Sequence, residues 1–190
     1  MAFTVERKAP QVTLTERHTD VLFVLWSVQI RGRQRFPISA TGIAALLKQR
    51  RVSLSKASVM NVIRTLGKLG LVQEAPGTSG PGKRGPKPRG YTIRPDSLIT
   101  EPLTATIAVH LYHFLIQPAN LESCIEGIRQ GPLERLSPEE VREHIGVCVE
   151  MGYLGQDRDT AIVTATQRVL RERLFLERIA KAAEPTGTPR

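Results

Sequence analysis

The sequence predicts a mainly α fold of the α+β class, divided into two domains. Apolar residues recur at steps of three and four along most of the 190 residues, as in amphipathic helices. Two short segments, 71–75 and 90–95, have the alternating pattern of strands. The charge also changes sign near the middle of the chain. Residues 1–95 carry 17 Lys and Arg against 4 Asp and Glu, a net charge of +13, whereas residues 96–190 carry 10 against 14, a net charge of −4.

The composition excludes several classes of protein. Hydrophobic residues make up 41% of the chain, too many for wholesale disorder, yet the longest apolar runs are shorter than the roughly 18 residues of a membrane span. The first ten residues hold no apolar signal-peptide core, so we expect a cytoplasmic protein without a membrane partner. Cys124 and Cys148 form no C-x-x-C pair, and we expect them to be buried, reduced thiols.

The N-terminal half predicts three helices and a hairpin. A first helix over 14–30 ends near Gly32, and the segment 36–39 is extended because a residue before proline disfavours helix. A second helix follows, capped by Ser39 or Thr41, and a third runs over 55–69. The two predicted strands come next, joined by a loop. Helix, short strand, helix, turn, helix, strand, loop and strand is the element order of a winged helix.

The residues in this region also resemble a known superfamily. The segment "ISATGIAALLKQRRVSLSKASVMNVIRTLGKLGLVQEA" is similar to the winged helix-turn-helix of bacterial and archaeal transcription regulators of the MarR, PadR and TrmB kinds. The most specific parts are "VIRTLGKLGLV" and the return strand in "GPKPRGYTI". The resemblance covers about residues 14–95. It implies a DNA-binding domain over 1–95, a recognition helix over 55–69 and a basic wing over 76–90.

The outward face of the third helix carries side chains suited to the major groove of DNA. Asn61 can pair with adenine, Arg64 with guanine, and Ala57 or Met60 can meet a thymine methyl group. Lys68, near the far end, suits a phosphate. The alternative is an ordinary solvated helix face. The residues predicted to contact DNA from this helix are Ser55, Lys56, Ala57, Met60, Asn61, Arg64 and Lys68.

The stretch "GTSGPGKRGPKPRG", residues 77–90, nearly spells a phosphate-binding loop. A nucleotide-binding loop needs Ser or Thr after its lysine to ligate magnesium, but Arg84 follows Lys83, and Pro86 and Pro88 prevent the helix that should follow. A basic wing that meets DNA phosphates or the minor groove fits better. Its predicted contact residues are Lys83, Arg84, Lys87 and Arg89.

The C-terminal half, 96–190, predicts a helical domain that could pair two subunits. Its first helix, over 98–116, is so apolar that it needs cover from its own domain or from a second subunit. Two further helices, a strand-turn-strand over 152–166 and a long amphipathic helix follow. This order repeats that of the first half, so the domain is either a second winged helix or a plain helical dimerisation domain.

The C-terminal half differs from the first half in its chemistry. The helix that begins at Ser137 is acidic, which would repel DNA and instead offers a surface for a protein partner. Its carboxylates are Glu139, Glu140, Glu143 and Glu150. A zinc site is an alternative use of four other residues, namely His110, His113, His144 and Cys148. Nothing shows that those four converge, and we expect no metal and no cofactor.

The sequence therefore predicts a sequence-specific, double-stranded DNA-binding protein, most simply a homodimeric transcription regulator. No nucleophile elbow, metal-protease motif or glycine fingerprint is present, so we do not expect an enzyme. The alternatives are a plasmid or mobile-element DNA-transaction protein (a replication initiator, partition or accessory factor) and a weakly specific architectural DNA-binding protein.

Overall fold

The computed structural model describes residues 13–34, 36–76, 89–131, 133–157 and 159–183. There the chain is mainly helical, with small antiparallel sheets, which confirms the predicted α-dominant α+β class. The helices are α1 Glu16–Trp26, α2 Ala40–Gln49, α3 Lys56–Lys68, α4 Pro102–Phe114, α5 Leu121–Arg129, α6 Pro138–Glu150 and α7 Gln167–Ala183. The strands are β1 Val72–Pro76, β2 Arg89–Ile93, β3 Ala119–Asn120, β4 Leu154–Gln156 and β5 Ile162–Ala165.

The helix ends of the first half follow local capping chemistry. α1 continues into a π-helical turn, Ser27–Arg31, and stops at Gly32 as predicted. The side-chain oxygens of Ser39 and Ser55 each accept a main-chain N–H three residues on, at 3.1 Å, and so begin α2 and α3. Gly70 takes a positive φ of 73° just after α3, a conformation that turns the chain into β1.

The hairpin of the first half is fixed to α1 by one buried glutamine. β1 and β2 are antiparallel, and Ile38 pairs with Tyr91 on the other edge of β2. Gln29 completes that edge: its amide nitrogen donates to the carbonyls of Phe36 (3.0 Å) and Tyr91 (2.9 Å), and its oxygen accepts from the N–H of Ile93 (2.9 Å). One side chain therefore satisfies the main-chain groups of Phe36 and Ile93 and adds a second donor to the Tyr91 carbonyl, which already accepts from Ile38.

The second half repeats the element order and the sheet order of the first. β5 lies between β4 and β3, just as β2 lies between β1 and Ile38. The caps also correspond. Ser137 begins α6 at a position 82 residues after Ser55, and Gly152, which follows α6, lies 82 residues after Gly70 with the same φ of 73°. The two halves thus share one topology.

Helix α7 packs within its own half and also reaches the first half. It lies along α4 and also contacts α1. The apolar α4 therefore receives cover from its own half, which was one of the two alternatives predicted. Between the halves, the N–H of Leu14 donates to the carbonyl of Arg171 at 3.2 Å, and the indole N–H of Trp26 donates to the carbonyl of Thr100 at 2.8 Å.

A buried ion network holds α7 within the second half. Glu172 of α7 is fully buried, accepts a 2.5 Å hydrogen bond from the hydroxyl of Tyr153, and pairs with Arg168 and Arg171. Arg168 also donates to the carbonyls of Met151 (2.6 Å) and Ser97, so it ties α7 to the loop after α6 and to the segment before α4, both in the second half. Burial, followed by the Glu172 charge, raises the pKa of Tyr153, which keeps the hydroxyl protonated as a donor.

One predicted helix starts later than expected. The apolar pattern suggested a helix from residue 98, but a short 3₁₀ turn, Pro95–Ser97, and extended residues precede α4. The side chain of Glu101 caps α4 by accepting from the N–H of Thr104 at 2.9 Å. Leu98 and Ile99 are buried without being helical. Within the described ranges, no helix combines the length and the apolar character that a membrane crossing requires.

Candidate nucleic-acid interface

The outer face of α3 is exposed and free of carboxylates. Val59, Ile63 and Leu66 anchor the opposite face in the core, which leaves the predicted contact residues facing solvent. The exposed members of that set are Ser55, Lys56, Ala57, Asn61, Arg64 and Lys68, whereas Met60 is only half-exposed. The face therefore offers three cations and one carboxamide on a rigid support.

Two predicted contact residues have structural partners. The hydroxyl of Ser55 accepts from the N–H of Ser58 and bonds its hydroxyl at 3.0 Å, so it serves as the cap of α3. Met60 was expected on the outer face, but it is half-buried, and its sulfur accepts from the hydroxyl of Tyr91 at 3.4 Å. A projection around the helix axis places Met60 outward because it cannot include the neighbouring β2 that covers it.

Asn61 and Arg64 are hydrogen-bonded to each other. A guanidinium N–H of Arg64 donates to the carboxamide oxygen of Asn61 at 3.1 Å. A carboxamide oxygen has two lone pairs and the guanidinium has five N–H donors, so both side chains keep free hydrogen-bonding capacity. The bond holds the two polar groups side by side on the exposed face of α3.

A shallow cavity of about 240 Å³ lies between α3 and the β1–β2 hairpin. Arg64 lines it on the helix side, and Glu74, Arg89 and Tyr91 line it on the hairpin side. Arg89 pairs with Glu74 at 3.0 Å while its side chain stays 76% exposed. Burial raises the pKa of Tyr91, so its phenol is neutral at physiological pH.

The predicted wing lies mostly outside the described residues. Lys83, Arg84 and Lys87, like the near-miss phosphate loop around them, lie outside the described residues. Arg89 is described, and it stands at the start of β2 on the side of α3. The two strands that the wing joins are therefore adjacent to the candidate recognition helix.

A second groove beside α3 was not predicted. It has a volume of about 630 Å³ and runs between the first turn of α1 and the flank of α3 that carries Asn61. Arg17 is its exposed cation. His18 accepts from the N–H of Thr15 at 3.2 Å, and burial lowers the pKa of His18, which favours the neutral imidazole. Sequence periodicity gives no signal for a groove formed by two helices that are 40 residues apart.

The corresponding face of α6 has the opposite charge. With the 82-residue spacing, the core positions Val59, Ile63 and Leu66 of α3 match Val141, Ile145 and Cys148, which are also buried. The outer positions do not match in chemistry. Ala57, Asn61, Arg64 and Lys68 correspond to Glu139, Glu143, Gly146 and Glu150.

The histidines and cysteines do not form a metal cluster in the described part of the chain. His144 is bonded to the hydroxyl of Thr104 at 2.9 Å, while His110 and His113 line a different cavity between α4 and α7. Among the described residues, no group of three or more His, Cys, Asp or Glu side chains is placed to hold an ion. Both cysteines are free and buried, as predicted, and burial raises the pKa of Cys148 to about 12.

Comparison with known proteins adds no family to this description. The sequence matches no protein-family model, and it matches no curated protein.

Proposed function

We propose that the chain binds double-stranded DNA through its N-terminal half, with α3 as the recognition helix of a winged helix and the β1–β2 hairpin as the base of its wing. The observation that carries this proposal is the outer face of α3, where Lys56, Arg64 and Lys68 stand around Asn61 without any carboxylate. An isolated helix face of this width fits the major groove, whose base edges and phosphates match these side chains.

Three further features support the proposal. The half that contains α3 has a net charge of +13, and polyanion binding is driven mainly by such charge. The caps and the core hold α3 rigidly, which suits base-edge recognition. The described end of the wing, at Arg89, lies next to α3 rather than on another side of the domain.

We further propose a cytoplasmic homodimeric regulator that pairs through its C-terminal half. Because α7 covers α4, the apolar character of α4 does not by itself require a second subunit. Support for a dimer comes instead from two large apolar side chains at and just after the end of α4. Phe114 and Ile116 remain 43% and 89% exposed. A symmetric dimer reads two half-sites about one helical turn, or a multiple of it, apart.

The test is selection of bound sequences from a random duplex pool, with sedimentation of the protein in parallel. The dimeric regulator predicts an enriched palindrome and a dimer at micromolar concentration. A pool without any enriched motif would contradict sequence-specific binding and leave the architectural role. The matched control is Asn61→Ala with Arg64→Ala, which should lose base preference but retain the fold.

A DNA-transaction protein that acts as one chain is the second candidate, and the repeated topology of the two halves favours it. In such a protein the second module would contact a protein partner through the acidic face of α6. An enriched site without two-fold symmetry, bound by a monomer, would support this candidate over the dimeric regulator.

A further inference from the structure

The groove between α1 and α3 contains a carboxylate in a place that the proposed function makes unfavourable. Glu16 lines this groove together with Arg17 and Asn61. Asp20 lies one helical turn further along α1. A carboxylate beside the proposed recognition helix repels the phosphates of a bound duplex, because every phosphate of the DNA backbone is anionic, and Asp20 adds a second negative charge on the same helix.

Both carboxylates are paired with one cation from the far end of the chain. The guanidinium of Arg178, on α7, donates to Glu16 at 2.5 Å and to Asp20. Asp20 is only 14% exposed and Arg178 33% exposed, so this pair is partly shielded from solvent. With Arg178 in place, Glu16, Asp20, Arg17 and Arg178 sum to zero charge; without it they sum to −1.

We propose that Arg178 masks these two carboxylates and thereby makes the α1–α3 groove part of the DNA interface, with Arg17 meeting a phosphate beside α3. This inference rests on the proposed function. It assigns the C-terminal half a role in DNA affinity that does not require it to touch DNA. The mask acts through charge, so its effect declines as salt screens it, with a Debye length of about 10 Å at 0.1 M.

The experiment measures duplex affinity for the full chain and four variants, at about 50 and 300 mM salt. Arg178→Ala should weaken binding by about five-fold at the lower salt and by less at the higher. Arg178→Ala combined with Glu16→Gln and Asp20→Asn should bind as well as the wild-type protein, because no carboxylate remains to be masked. Glu16→Gln with Asp20→Asn alone should bind at least as well.

Arg173→Ala is the matched control, because Arg173 pairs with Glu177 on the same helix at 3.1 Å. Thermal unfolding of each variant verifies that it is folded. If the triple variant stays as weak as Arg178→Ala, Arg178 acts as a mechanical tie and the mask is overturned. Equal affinity of Arg178→Ala and the wild-type protein also overturns it. Absence of wild-type binding to any duplex is a separate outcome, since it refutes the proposed function itself.

Discussion

Helices α3 and α6 occupy the same place in two copies of one topology, yet their outer faces have opposite charge. Both begin at a serine cap, and both end before a glycine with a φ of 73°. Both also bury the same three positions. Only the solvent side differs, with Asn, Arg and Lys on one helix and Glu, Gly and Glu on the other at matching positions. A scaffold fixes where a helix stands, whereas its exposed side chains decide what it binds.

The hairpins show a second difference between the halves. In the second half, β3 pairs with the free edge of β5 through its main chain. In the first half, Ile38 provides a single bridge, and the side chain of Gln29 substitutes for the rest. The same architecture is therefore completed by backbone in one copy and by a carboxamide in the other.

The largest effect should come from giving α3 the outer face of α6. Ala57→Glu, Asn61→Glu, Arg64→Gly and Lys68→Glu together remove two cations and add three carboxylates. We expect duplex affinity to fall by at least about 100-fold at low salt. Each phosphate contact that is lost no longer releases counterions from the duplex, and that release favours binding. Fluorescence anisotropy with a labelled duplex measures the loss.

The reverse exchange on α6 is the control for that experiment. It consists of Glu139→Ala, Glu143→Asn, Gly146→Arg and Glu150→Lys, and it should leave duplex affinity undiminished. Equal losses in the two variants would mean that the proposed recognition helix has no special role.

The next largest effect concerns the edge of β2. Gln29→Leu leaves the buried N–H of Ile93 and the partly buried carbonyl of Phe36 without their partner. We expect the free energy of unfolding to fall by about 3 kcal/mol, since each buried group without a partner costs about 1–3 kcal/mol. Urea unfolding followed by the fluorescence of Trp26 measures it. Gln130→Leu, at an exposed glutamine bonded to Glu126, should change stability by less than about 0.5 kcal/mol.

A smaller effect tests whether the two halves are equivalent. Gly70→Ala and Gly152→Ala should each lower the free energy of unfolding by about 1 kcal/mol, because Ala is strained at positive φ. A new Cβ would meet little at either place: only Arg94, at 3.9 Å, lies near that of Gly70, and nothing lies within 4 Å of that of Gly152. The cost should therefore be similar.

Gly146→Ala is the opposite case and serves as the control. It lies inside α6 with open space above it, so it should raise the free energy of unfolding by about 0.5–1 kcal/mol. A stabilised Gly152→Ala variant would contradict the assigned backbone conformation.

The smallest effect is a pH dependence at the start of α6. Hydrogen bonds from Ser137 lower the pKa of Glu140 below its ordinary value of 4.5, so this carboxylate stabilises the fold above that pH, and the contribution is lost as the pH falls through the lowered pKa. Glu140→Gln should therefore lower the melting temperature slightly at pH 7 and by less at pH 3. The equivalent position in α3 is Ser58, which does not titrate, and Ser58→Ala should show no such pH dependence.

Much of the fold could be predicted from local signals. Apolar spacing and caps at Ser39, Ser55 and Ser137 placed those helix starts within a residue or two, because capping depends on neighbours in sequence. The start of α4 was misplaced because Leu98 and Ile99 are buried by tertiary packing without being helical. Apolar character alone cannot distinguish these situations.

The candidate site was less predictable than the fold. The sequence identified Asn61 and Arg64 as outward, but it could not show that β2 covers Met60 or that Gln29 fixes the hairpin. It also gave no indication that Arg178 reaches Glu16, which is 162 residues away in the chain. Such contacts depend on how α7 packs on α1, and the spacing of apolar residues within either helix does not indicate that packing.

The contact between α1 and α7 also has a consequence for synthesis. The ribosome makes α1 long before α7. More than a hundred further residues must be synthesised before α7 can cover its part of the apolar side of α1. A nascent N-terminal half would be a partly closed intermediate, exposed to chaperones and proteases until α7 docks. Completion of the first half would then coincide with completion of the chain up to α7, so that shortened products would not fold fully.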